Sequence, residues 1–536
     1  MTHADPTTPA RRAGAFAIAL LAANLAAAAA PETPLYATSF ERQAAGPATA
    51  FAEAGAAWRF SGQAEITEAF QHTGAKSLHL FGGADNTCEI AFSGPLLKSR
   101  GLRFQAERWT SQAPFAFRVH ACVGDAWKAV AALDDAIAVG ARFRSAIALA
   151  LPEGATALRL VCTAPERAGA LIDDFALLQE APMNPTQTPR TATEPIARKL
   201  VDQTLFRSGE GANIYRIPAL VRAANGDLLA ACDGRESMAD LIGSRNIAIV
   251  LRRSADNGAT WTPMETISQL GPGRPSSDPS LLLDRDTGEV FCFYNYMDQD
   301  ASPREFRLHV RSSRDHGRTW SEPRDITDSI APAEWKMDFK FITSGCGIQT
   351  RDGMLLHTLV NLSRGLHLFA SRDHGKTWQR IDAPVTPADE SKVIELADGR
   401  WMINSRVNGQ GCRTVHISKD RGRTWQTRAE HGLVDPSCNA AIVRYSLASG
   451  GRGRNRLLFS NANARNGRRN LALRISYDEG ETWSDGKVVD PGDAAYSDMA
   501  VCADGTIGIL YEPGHDEVRF ARVTLEDLTD GQDQRP

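Results

Sequence analysis

The sequence predicts an all-β protein with two folded parts, a β-sandwich followed by a ring of small repeated sheets. Three observations lead to this prediction: strand-like runs fill nearly the whole chain, a segment rich in Pro and Thr interrupts them, and an eight-residue motif then recurs five times. At 536 residues the chain is too long for one hydrophobic core. The formal net charge of −4 and the lack of long charged blocks argue against a nucleic-acid partner.

The first 30 residues have the layout of a cleavable signal peptide. Arg11 and Arg12 precede the apolar run AGAFAIALLAANLAAAAA, which ends in small residues. Cleavage near Ala30 would give a secreted or periplasmic protein. The alternative is an alanine-rich helix of the folded protein, although its poly-Ala end offers no side chains to fill a core. No later run reaches about 18 apolar residues, so we expect no membrane span.

Residues 31–181 are predicted to form the β-sandwich. Short runs such as SLHLFG, LRFQAE and ATALRLVC alternate apolar with polar residues and are separated by Gly, Pro and Asp turns. The last run, LIDDFALLQE, resembles the final strand of jelly-roll carbohydrate-binding modules. A sugar-binding domain and a structural spacer are both compatible with this pattern. Residues 182–198, rich in Pro and Thr, are predicted to be a linker.

Residues 199–536 are predicted to form a six-bladed β-propeller. Successive copies of the motif begin 47 to 59 residues apart, which is the length of one supersecondary unit and indicates radial repetition. About 330 residues are enough for six four-stranded sheets around an axis. The Asp and Gly of the motif suit a tight turn, and we expect its Trp to pack over the next strand. The copies are Ser254–Trp261, Ser313–Trp320, Ser371–Trp378, Ser418–Trp425 and Ser476–Trp483.

The motif is the Asp box, and together with YRIPAL around Arg216 it makes the chain resemble bacterial-type exo-α-sialidases. The resemblance covers roughly Phe206 to Arg519 and implies the six-bladed propeller of that family, in which the Asp boxes lie away from the active site. It also implies the release of terminal α-linked sialic acid from glycoproteins, glycolipids or oligosaccharides. The implied reaction retains the anomeric configuration and uses a tyrosine nucleophile.

Three arginines match the family positions that bind the substrate carboxylate: Arg216 in YRIPAL, Arg406 in INSR and Arg468 in NGRRNLALRIS. Sialic acid carries a carboxylate on its anomeric carbon, and a guanidinium group holds a carboxylate bidentately with a permanent charge. Arg469 is the alternative to Arg468. A single arginine is by default a solvated surface charge, but three at matched positions favour a binding site.

The resemblance assigns the nucleophile to Tyr496 in DAAYSD and its base to Glu390 in PADESKVIEL. A carboxylate nucleophile would be repelled by the substrate carboxylate beside the reacting carbon, whereas a neutral phenol would not. Glu395 in the same segment is the competitor for the base, but strand alternation places it on the face opposite to Glu390.

The resemblance assigns the general acid to Asp240 in DGRESMADLIGSRN, on a loop that we expect to shield it partly and so raise its proton affinity. Asp233 in CDGR is its nearest rival. Glu512 in LYEPG matches the glutamate that orients the first arginine. Arg235 and Asp278 match two further pocket positions. For each acidic residue, a turn or surface carboxylate is the alternative.

The sequence indicates neither a cofactor nor a metal site. Its nine cysteines are scattered, with no CxxC pair and no His cluster at zinc spacing, so buried thiols are expected. Three alternatives to sialic-acid hydrolysis remain: a non-catalytic sialic-acid lectin on the same propeller, a trans-sialidase, and an Asp-box propeller that acts as a protein-binding module or glucanase. A lectin would have no reason to keep Tyr496, Glu390 and Asp240 together, and the third alternative would have no reason to keep the arginines.

Overall fold

The computed structural model describes two compact units. The first takes the described residues of 1–131 and 139–185, and the second those of 132–138 and 186–536. The predicted signal peptide, residues 1–30, lies outside the described residues. No helix in the described part is long and apolar enough to cross a membrane. The described residues are 34–110, 112, 114–134, 136–137, 139–140, 145–182, 191–448, 453–514 and 516–534.

The first unit is a β-sandwich with a short 3₁₀ turn at Gly94–Lys98. Its strands in chain order are β1 Tyr36–Thr38, β2 Gly46–Pro47, β3 Ala50–Glu53, β4 Ala56–Ser61, β5 Ala64–Thr67, β6 Ser77–Phe92, β7 Gly101–Arg108, β8 Ala116–Val123, β9 Ala126–Ala132, β10 Ser145–Ala150 and β11 Ala155–Leu178.

Two long strands, β6 and β11, connect the layers of the sandwich. The first half of β11 pairs with β8 and its second half with β7, while both halves pair with β6. The register shifts around Ala164 and Gly169, where the extra residues bend the strand. Trp58 packs between the layers, with its ring 4.8 Å from that of Phe175. The β-sandwich predicted for this part of the chain is confirmed, and its sugar-binding role stays a prediction.

The second unit is a six-bladed β-propeller, as predicted. Its first strand is β12 Val201–Phe206. The strands that follow are β13 Ile214–Arg222, β14 Leu228–Arg235, β15 Ile247–Ser254 and β16 Glu265–Ser268 (blade 1); β17 Ser276–Leu283, β18 Val290–Met297, β19 Phe306–Ser313 and β20 Arg324–Asp325 (blade 2, whose sheet β22 Gly345–Cys346 also joins); β21 Lys340–Ile342, β23 Ile348–Gln349, β24 Leu355–Asn361, β25 Gly365–Ser371 and β26 Gln379–Val385 (blade 3); β27 Ser391–Glu395, β28 Trp401–Ser405, β29 Cys412–Ser418 and β30 Gln426–Val434 (blade 4); β31 Ala441–Ser446, β32 Arg456–Ala462, β33 Arg469–Ser476 and β34 Lys487–Asp493 (blade 5); and β35 Ser497–Val501, β36 Ile507–Tyr511 and β37 Val518–Val523 (blade 6).

The ring closes because the first propeller strand completes the last blade. Strand β12 pairs antiparallel with β37, which gives blade 6 its fourth strand. Strand β22 pairs in parallel with β17 of blade 2, although it lies between two strands of blade 3 in the chain. Two single-turn helices follow blade strands, α1 at Thr327–Ile330 and α2 at Leu525–Leu528. Blade 6 therefore has all four of its strands, and the chain runs from β12 of blade 6 directly into β13 of blade 1, which holds the two blades together.

Each Asp box forms a turn after the third strand of its blade. In the copy of blade 3, Asp373 accepts hydrogen bonds from the amide and hydroxyl of Thr377 at 2.9 and 2.7 Å, and Ser371 Oγ accepts from the amide of Gly375 at 2.8 Å. Gly375 has φ 76°, and a Cβ there would lie 2.2 Å from the ring of Phe291. The motif therefore requires glycine for both its backbone conformation and its close packing.

The Trp of each box packs toward the preceding blade, whereas the sequence predicted packing over the next strand. Trp378 of blade 3 contacts the rings of Phe291 and Phe293 of blade 2, with centroids 5.8 and 5.1 Å away. Trp261 of blade 1 likewise contacts Phe520 of blade 6 at 5.1 Å. Each Asp box thus packs its own blade against the one before it, which explains why the motif recurs once per blade.

The predicted linker, residues 182–198, lies in part outside the described residues. Its described end packs on blade 5: Pro195 forms a β-bridge with Val488, and the amide of Ile196 donates to Val488 O at 2.9 Å. Ala192 and Ile196 are buried. Residues 192–196 therefore behave as part of the propeller.

We expect Trp378→Ala to lower the stability of the propeller by about 3–5 kcal/mol, because the side chain is 2% exposed and its loss leaves a cavity between two blades. Thermal and urea unfolding would measure this change. Trp425→Ala is the matched control, since Trp425 has the same position in its Asp box but is only partly buried. An equal loss for both variants would contradict the expectation that the loss depends on how deeply the tryptophan is buried between the blades.

Candidate active site

The predicted site residues lie at one end of the ring, opposite to the Asp boxes. Glu390 directly precedes the first strand of blade 4, and Arg406 directly follows the second strand. Tyr496 and Glu512 have the same two positions in blade 6. Since neighbouring strands are antiparallel, first strands begin at the edge where second strands end. The Asp boxes follow the ends of third strands and therefore occupy the other edge.

Tyr496 and Glu390 form a buried hydrogen-bonded pair. The phenol donates to Glu390 Oε2 at 2.7 Å, although 106 positions separate the two residues. Arg406 Nη1 donates to the same carboxylate oxygen at 2.5 Å and to the phenol oxygen at 3.3 Å. Burial and the charge of Glu390 raise the pKa of Tyr496 well above its ordinary value. The phenol is therefore neutral, and its proton already points at a carboxylate.

The other two arginines flank the ring of Tyr496. The guanidinium carbons of Arg216 and Arg468 lie 5.5 and 5.3 Å from the ring centroid. Arg468 Nη2 donates to Ser437 O at 3.1 Å. All three predicted arginines thus converge on one phenol, each from a different blade, which confines three positive charges to a small, partly buried space.

Arg216 is oriented by Glu512 through a bulge in the first strand of blade 1. Glu512 Oε2 accepts from Arg216 Nη2 at 3.3 Å, and Glu512 Oε1 accepts from the amide of Ile217 at 2.7 Å. Ile217 has φ 65°, a strained conformation for a β-branched residue, and Pro218 beside it has no amide hydrogen. The Arg-Ile-Pro motif therefore takes one amide out of the strand ladder and turns it toward a carboxylate of blade 6.

The first strand of blade 2 has a bulge of the same kind, at Asp278 and Pro279. Asp278 has φ 61°, and its amide donates to Asp233 Oδ1 at 2.9 Å. Asp233 is fully buried in blade 1 and also accepts from Arg235 Nε and Nη2 at 2.9 and 2.8 Å. A carboxylate of one blade thus holds the bulged strand of the next in both cases, and Asp233, the sequence rival of Asp240, has this structural role.

Arg235 links the predicted general acid to this cluster. Its Nη1 donates to Asp240 Oδ1 at 2.7 Å. The side chain of Asp240 is 78% exposed, so the partial shielding expected from the sequence is not present. Its loop lies between β14 and β15 and leaves the carboxyl group open to solvent above the buried guanidinium.

Asp278 is an acid of this site whose pKa is raised far above its ordinary value. Burial, with the nearby charge of Asp233, raises the pKa of Asp278 to about 7. Arg235 opposes the shift, and Asn295 Nδ2 donates to Asp278 Oδ2 at 3.0 Å. A carboxyl group of this kind exchanges a proton near neutral pH.

Two residues of the site were missed by sequence reasoning. Asp389 Oδ2 lies 3.7 Å from Arg406 Nε and accepts from Asn408 Nδ2 at 2.7 Å. Asn408 Oδ1 accepts in turn from Arg406 Nε at 2.8 Å. Both neighbour predicted residues in the chain, Asp389 beside Glu390 and Asn408 two positions after Arg406. In the sequence, the only indication of this pair was the run of two adjacent acids, Asp389 and Glu390, in ADES.

The remaining alternatives lie away from Tyr496 in the contacts described. Glu395 accepts from the amide of Arg351 at 2.7 Å, at the far end of strand β27 from Glu390. Arg469 is exposed, whereas Arg468 is partly buried beside the phenol. Glu390 and Arg468 therefore lie beside Tyr496, and the choice of these two residues over Glu395 and Arg469 stays a prediction.

One group of potential metal ligands occurs among the described residues, and it lies beside an Asp box. Asp284, Asp286 and His374 bring ligand atoms within 4.8 Å of one another. Gln349 Nε2 donates to both carboxylates, and His374 Nδ1 lies 2.8 Å from Asp284 Oδ2. Hydrogen bonds thus occupy these atoms, and the expectation that the candidate active site holds no metal stays a prediction.

We expect Asp278→Asn to stabilise the protein at pH 8 and to have little effect at pH 4. A folded-state pKa of about 7 lies above the ordinary value of 3.8, so the aspartate costs stability as pH rises through this interval. The gain should be on the order of 1–3 kcal/mol at pH 8, measured by thermal unfolding across pH.

Asp420→Asn should behave with the opposite sign, because hydrogen bonds from Thr424 and Ser418 lower the pKa of Asp420 to about 2. Its contribution is present at neutral pH and is lost as pH falls toward 2, so its removal should destabilise the protein at pH 8. Parallel behaviour of the two variants would contradict the assigned burial of Asp278.

Comparison with known proteins places these features in a family. Residues 226–509 match the BNR repeat-like domain. The chain is 38% identical over 352 residues to a sialidase of Micromonospora viridifaciens, covering 60% of this chain and 54% of that protein. It is 31% identical over 344 residues to a sialidase of Bacteroides fragilis (strain YCH46), covering 59% and 62%. The alignments thus span little more than half the length of these relatives.

Solved structures share the fold. The structure titled "Hadza microbial sialidase Hz136" superposes with a TM-score of 0.56 at 22% sequence identity, covering 84% of this chain and 98% of that one. The match to the repeat domain spans more than half of the chain, and the five Asp boxes lie on five blades of the propeller. The protein therefore belongs to the family of the BNR repeat-like domain, and the relatives described here are sialidases.

Proposed function

We propose that this protein is an exo-α-sialidase that hydrolyses terminal α-linked sialic acid with retention of configuration. The observation that carries the proposal is the hydrogen bond of 2.7 Å between Tyr496 and Glu390, surrounded by Arg216, Arg406 and Arg468. The relatives at 38% and 31% identity are sialidases, which supports the same activity. Sialylated glycoproteins, glycolipids and oligosaccharides are the proposed substrates.

The arginines favour an anionic ligand on two grounds. They hold three permanent positive charges around one phenol, and a carboxylate there would be bound by charge-assisted hydrogen bonds. Arg216 Nε is also buried without a hydrogen-bond partner in the described part of the protein. A buried donor of this kind is costly unless a ligand satisfies it. A substrate carboxylate supplies the acceptor.

In the first step, the oxygen of Tyr496 attacks the anomeric carbon while its proton moves to Glu390 Oε2. The bond to the leaving sugar oxygen breaks, and that oxygen takes a proton from Asp240. In the second step, Asp240 takes a proton from water, the water oxygen attacks the anomeric carbon, and the bond to Tyr496 breaks. The phenol regains its proton from Glu390, so each group returns to its starting state.

Arg235 has a positioning role in this reaction. It is almost fully buried and donates a hydrogen bond to Asp240, so it fixes the position of this exposed carboxyl group. Asp278, whose pKa lies near neutrality, is the other acid within this network. We assign proton transfer to Asp240 because its loop leaves it accessible to the leaving group.

The competing functions differ in what leaves the site. A lectin would bind sialosides and release nothing, and a trans-sialidase would pass the sugar to another acceptor in place of water. Incubation with sialyllactose and identification of the released species would distinguish the three. Export from the cytoplasm, after cleavage of residues 1–30, is the localisation that we propose for an enzyme acting on glycoconjugates.

Asp240→Asn should lose on the order of 10²–10⁴ in rate on sialyllactose but far less on an activated aryl sialoside, because only the sugar alkoxide needs a proton to depart. Initial rates on the two substrates would be compared. Tyr496→Phe is the reference variant and should impair both substrates, since it removes the nucleophile. Equal losses on both substrates for Asp240→Asn would transfer the acid role to Asp278.

We also propose that the β-sandwich binds sugar. A cleft of about 470 Å³ on this unit is lined by Phe70 and Trp109, with ring centroids 4.4 Å apart, and by Glu107 and Gln112. Trp109 stacks on buried His79 at 5.0 Å, which fixes the indole as a platform. A rigid exposed aromatic ring beside a carboxylate and an amide suits the apolar face and hydroxyl groups of a pyranose.

Trp109→Ala should leave the rate on a small aryl sialoside unchanged and lower the rate on a dilute sialylated glycoprotein by roughly tenfold, through lost avidity. The full chain is used because a truncation at Arg198 would remove Ile196 from blade 5. Trp127→Ala is the control, since this Trp lies under Arg159 and outside the cleft. Equal glycoprotein rates for the two variants would exclude the sugar-binding role.

A further inference from the structure

The loop that carries Asp240 folds into a tight turn directly after this residue. The loop comprises residues 236–246 and connects β14 to β15. Asp240 O accepts hydrogen bonds from the amides of Gly243 and Ser244 at 2.8 and 2.9 Å, so residues 240–244 form one turn, the acid turn. The side chain of Asp240 is 78% exposed. The position of its carboxyl group therefore depends on what holds the acid turn.

Gln299 of blade 2 binds the acid turn from outside the loop. This residue follows β18 by two positions and is 9% exposed. Its Nε2 donates to Ser244 O at 2.7 Å and to Leu241 O at 2.9 Å, and Ile242 O lies 3.3 Å away. Three carbonyl oxygens thus surround one nitrogen, and the amide group supplies two hydrogens for them. A side chain of blade 2 therefore holds a turn of blade 1.

Gln299 is itself fixed in place. Its main-chain amide donates to Gly273 O at 2.8 Å, and the amide of Gly273 donates to Arg245 O at 2.7 Å. Arg245 lies near the end of the loop that carries Asp240, and its Nη2 donates to Asp300 Oδ1 at 3.0 Å. Main-chain and side-chain contacts therefore join this loop to the segment of blade 2 around Gln299.

The contacts within blade 1 hold other parts of the loop. Glu236 Oε1 accepts from the amides of Arg245 and Asn246 at 2.8 and 3.2 Å, which closes the base of the loop. Arg235 Nη1 donates to Asp240 Oδ1 at 2.7 Å. Residues of blade 1 thus bind the base of the loop and the carboxyl group, whereas Gln299 binds the main chain of the acid turn.

The hydrogen bonds from Gln299 are difficult to replace with water. Leu241 is 5% exposed, and the bond from Gln299 to its carbonyl oxygen is buried. A buried carbonyl group that loses its donor costs about 1–3 kcal/mol. Without the amide group, the acid turn would have to shift to hydrate its carbonyl groups, and the carboxyl group of Asp240 would move with it. A displacement of about 1 Å can lower a rate by roughly 10²-fold, because proton transfer needs the two groups within hydrogen-bond reach.

We propose that Gln299 is a positioning residue that presents Asp240 to the leaving oxygen of the substrate by holding the acid turn; this inference rests on the proposed sialidase function. Gln299 acts through Asp240, so it matters in proportion to how much the leaving group needs a proton. A purely structural glutamine would change the rate on every substrate alike. The dependence of the rate on the leaving group therefore separates the two roles.

The test compares kcat/KM of Gln299→Met on sialyllactose and on an activated aryl sialoside. Methionine keeps the length of the side chain and removes the donor. We expect a loss of about tenfold on sialyllactose, since the acid is present but displaced, and a loss below about threefold on the aryl sialoside. Gln299→Leu, which also removes the donor, should give the same pattern if the methionine variant folds poorly.

A double variant tests whether Gln299 acts through Asp240. Adding Gln299→Met to Asp240→Asn should cause little further loss on sialyllactose, because no acid then remains to be positioned. Losses that multiply would mean that Gln299 acts independently of Asp240, and they would overturn the inference.

Gln349→Met is the matched control. Gln349 is 6% exposed, and its Nε2 donates to Asp284 Oδ1 and Asp286 Oδ2 at 2.9 and 3.0 Å beside an Asp box. Its substitution removes a comparable set of hydrogen bonds at the opposite edge of the ring. The rates on the two substrates should therefore keep their wild-type ratio. Thermal unfolding of each variant would verify that the compared proteins are folded.

Equal losses on both substrates in a folded Gln299→Met or Gln299→Leu variant would overturn the inference, and so would unfolding of both variants. A selective loss in Gln349→Met would also overturn it, since disturbance of any buried glutamine would then be the cause. Equal losses for Asp240→Asn would overturn it as well, while sialic-acid hydrolysis would stand. An inactive wild-type protein would overturn the proposed function and this inference with it. An active wild type in which Asp240→Asn loses rate selectively but the Gln299 variants do not would overturn the inference alone.

Discussion

Closure of the ring by β12 is the constraint on which the rest of the structure depends. This strand completes blade 6 beside β37, although it precedes every other propeller strand in the chain. Only a closed ring places Arg216 of blade 1 next to Glu512 of blade 6, across 296 positions. The same closure holds Tyr496 between blades 1 and 5, so the candidate site exists only when the last blade is complete.

The ring is stabilised at one edge and strained at the other. At the Asp-box edge, glycine turns and tryptophans such as Trp378 pack each blade on the one before it. At the opposite edge, Ile217 and Asp278 adopt left-handed backbone conformations, and carboxylates of neighbouring blades bind their amides. Strain of this kind persists only where the surrounding structure over-determines it. The apolar contacts between blades supply that support.

The charged residues of the site are also held by contacts within the protein. Glu512, Glu390 and Asp233 each bind an arginine, so the guanidinium groups are oriented before any substrate arrives. Buried ion pairs add little net stability, but preorganised dipoles and charges lower the cost of binding and of charge transfer. The Asp-box edge of the blades therefore contributes stability, and the opposite edge carries the residues of the candidate site.

Local patterns determined the parts of this protein that depend on neighbouring residues. The period of the Asp boxes predicted the blades, and Arg216, Arg406 and Tyr496 stood in motifs recognisable from a few letters. The tertiary structure decided what depends on distant parts of the chain: the hydrogen bond by which Asp233 of blade 1 holds the bulged strand of blade 2, the exposure of Asp240, and the burial that raises the pKa of Asp278. The burial of a side chain and the electrostatic field around it depend on residues from several blades, so they cannot be read from a short segment of sequence. The sequence by itself therefore determined which residues are available for chemistry, and only the closed ring decided their neighbours, and with them their proton affinities.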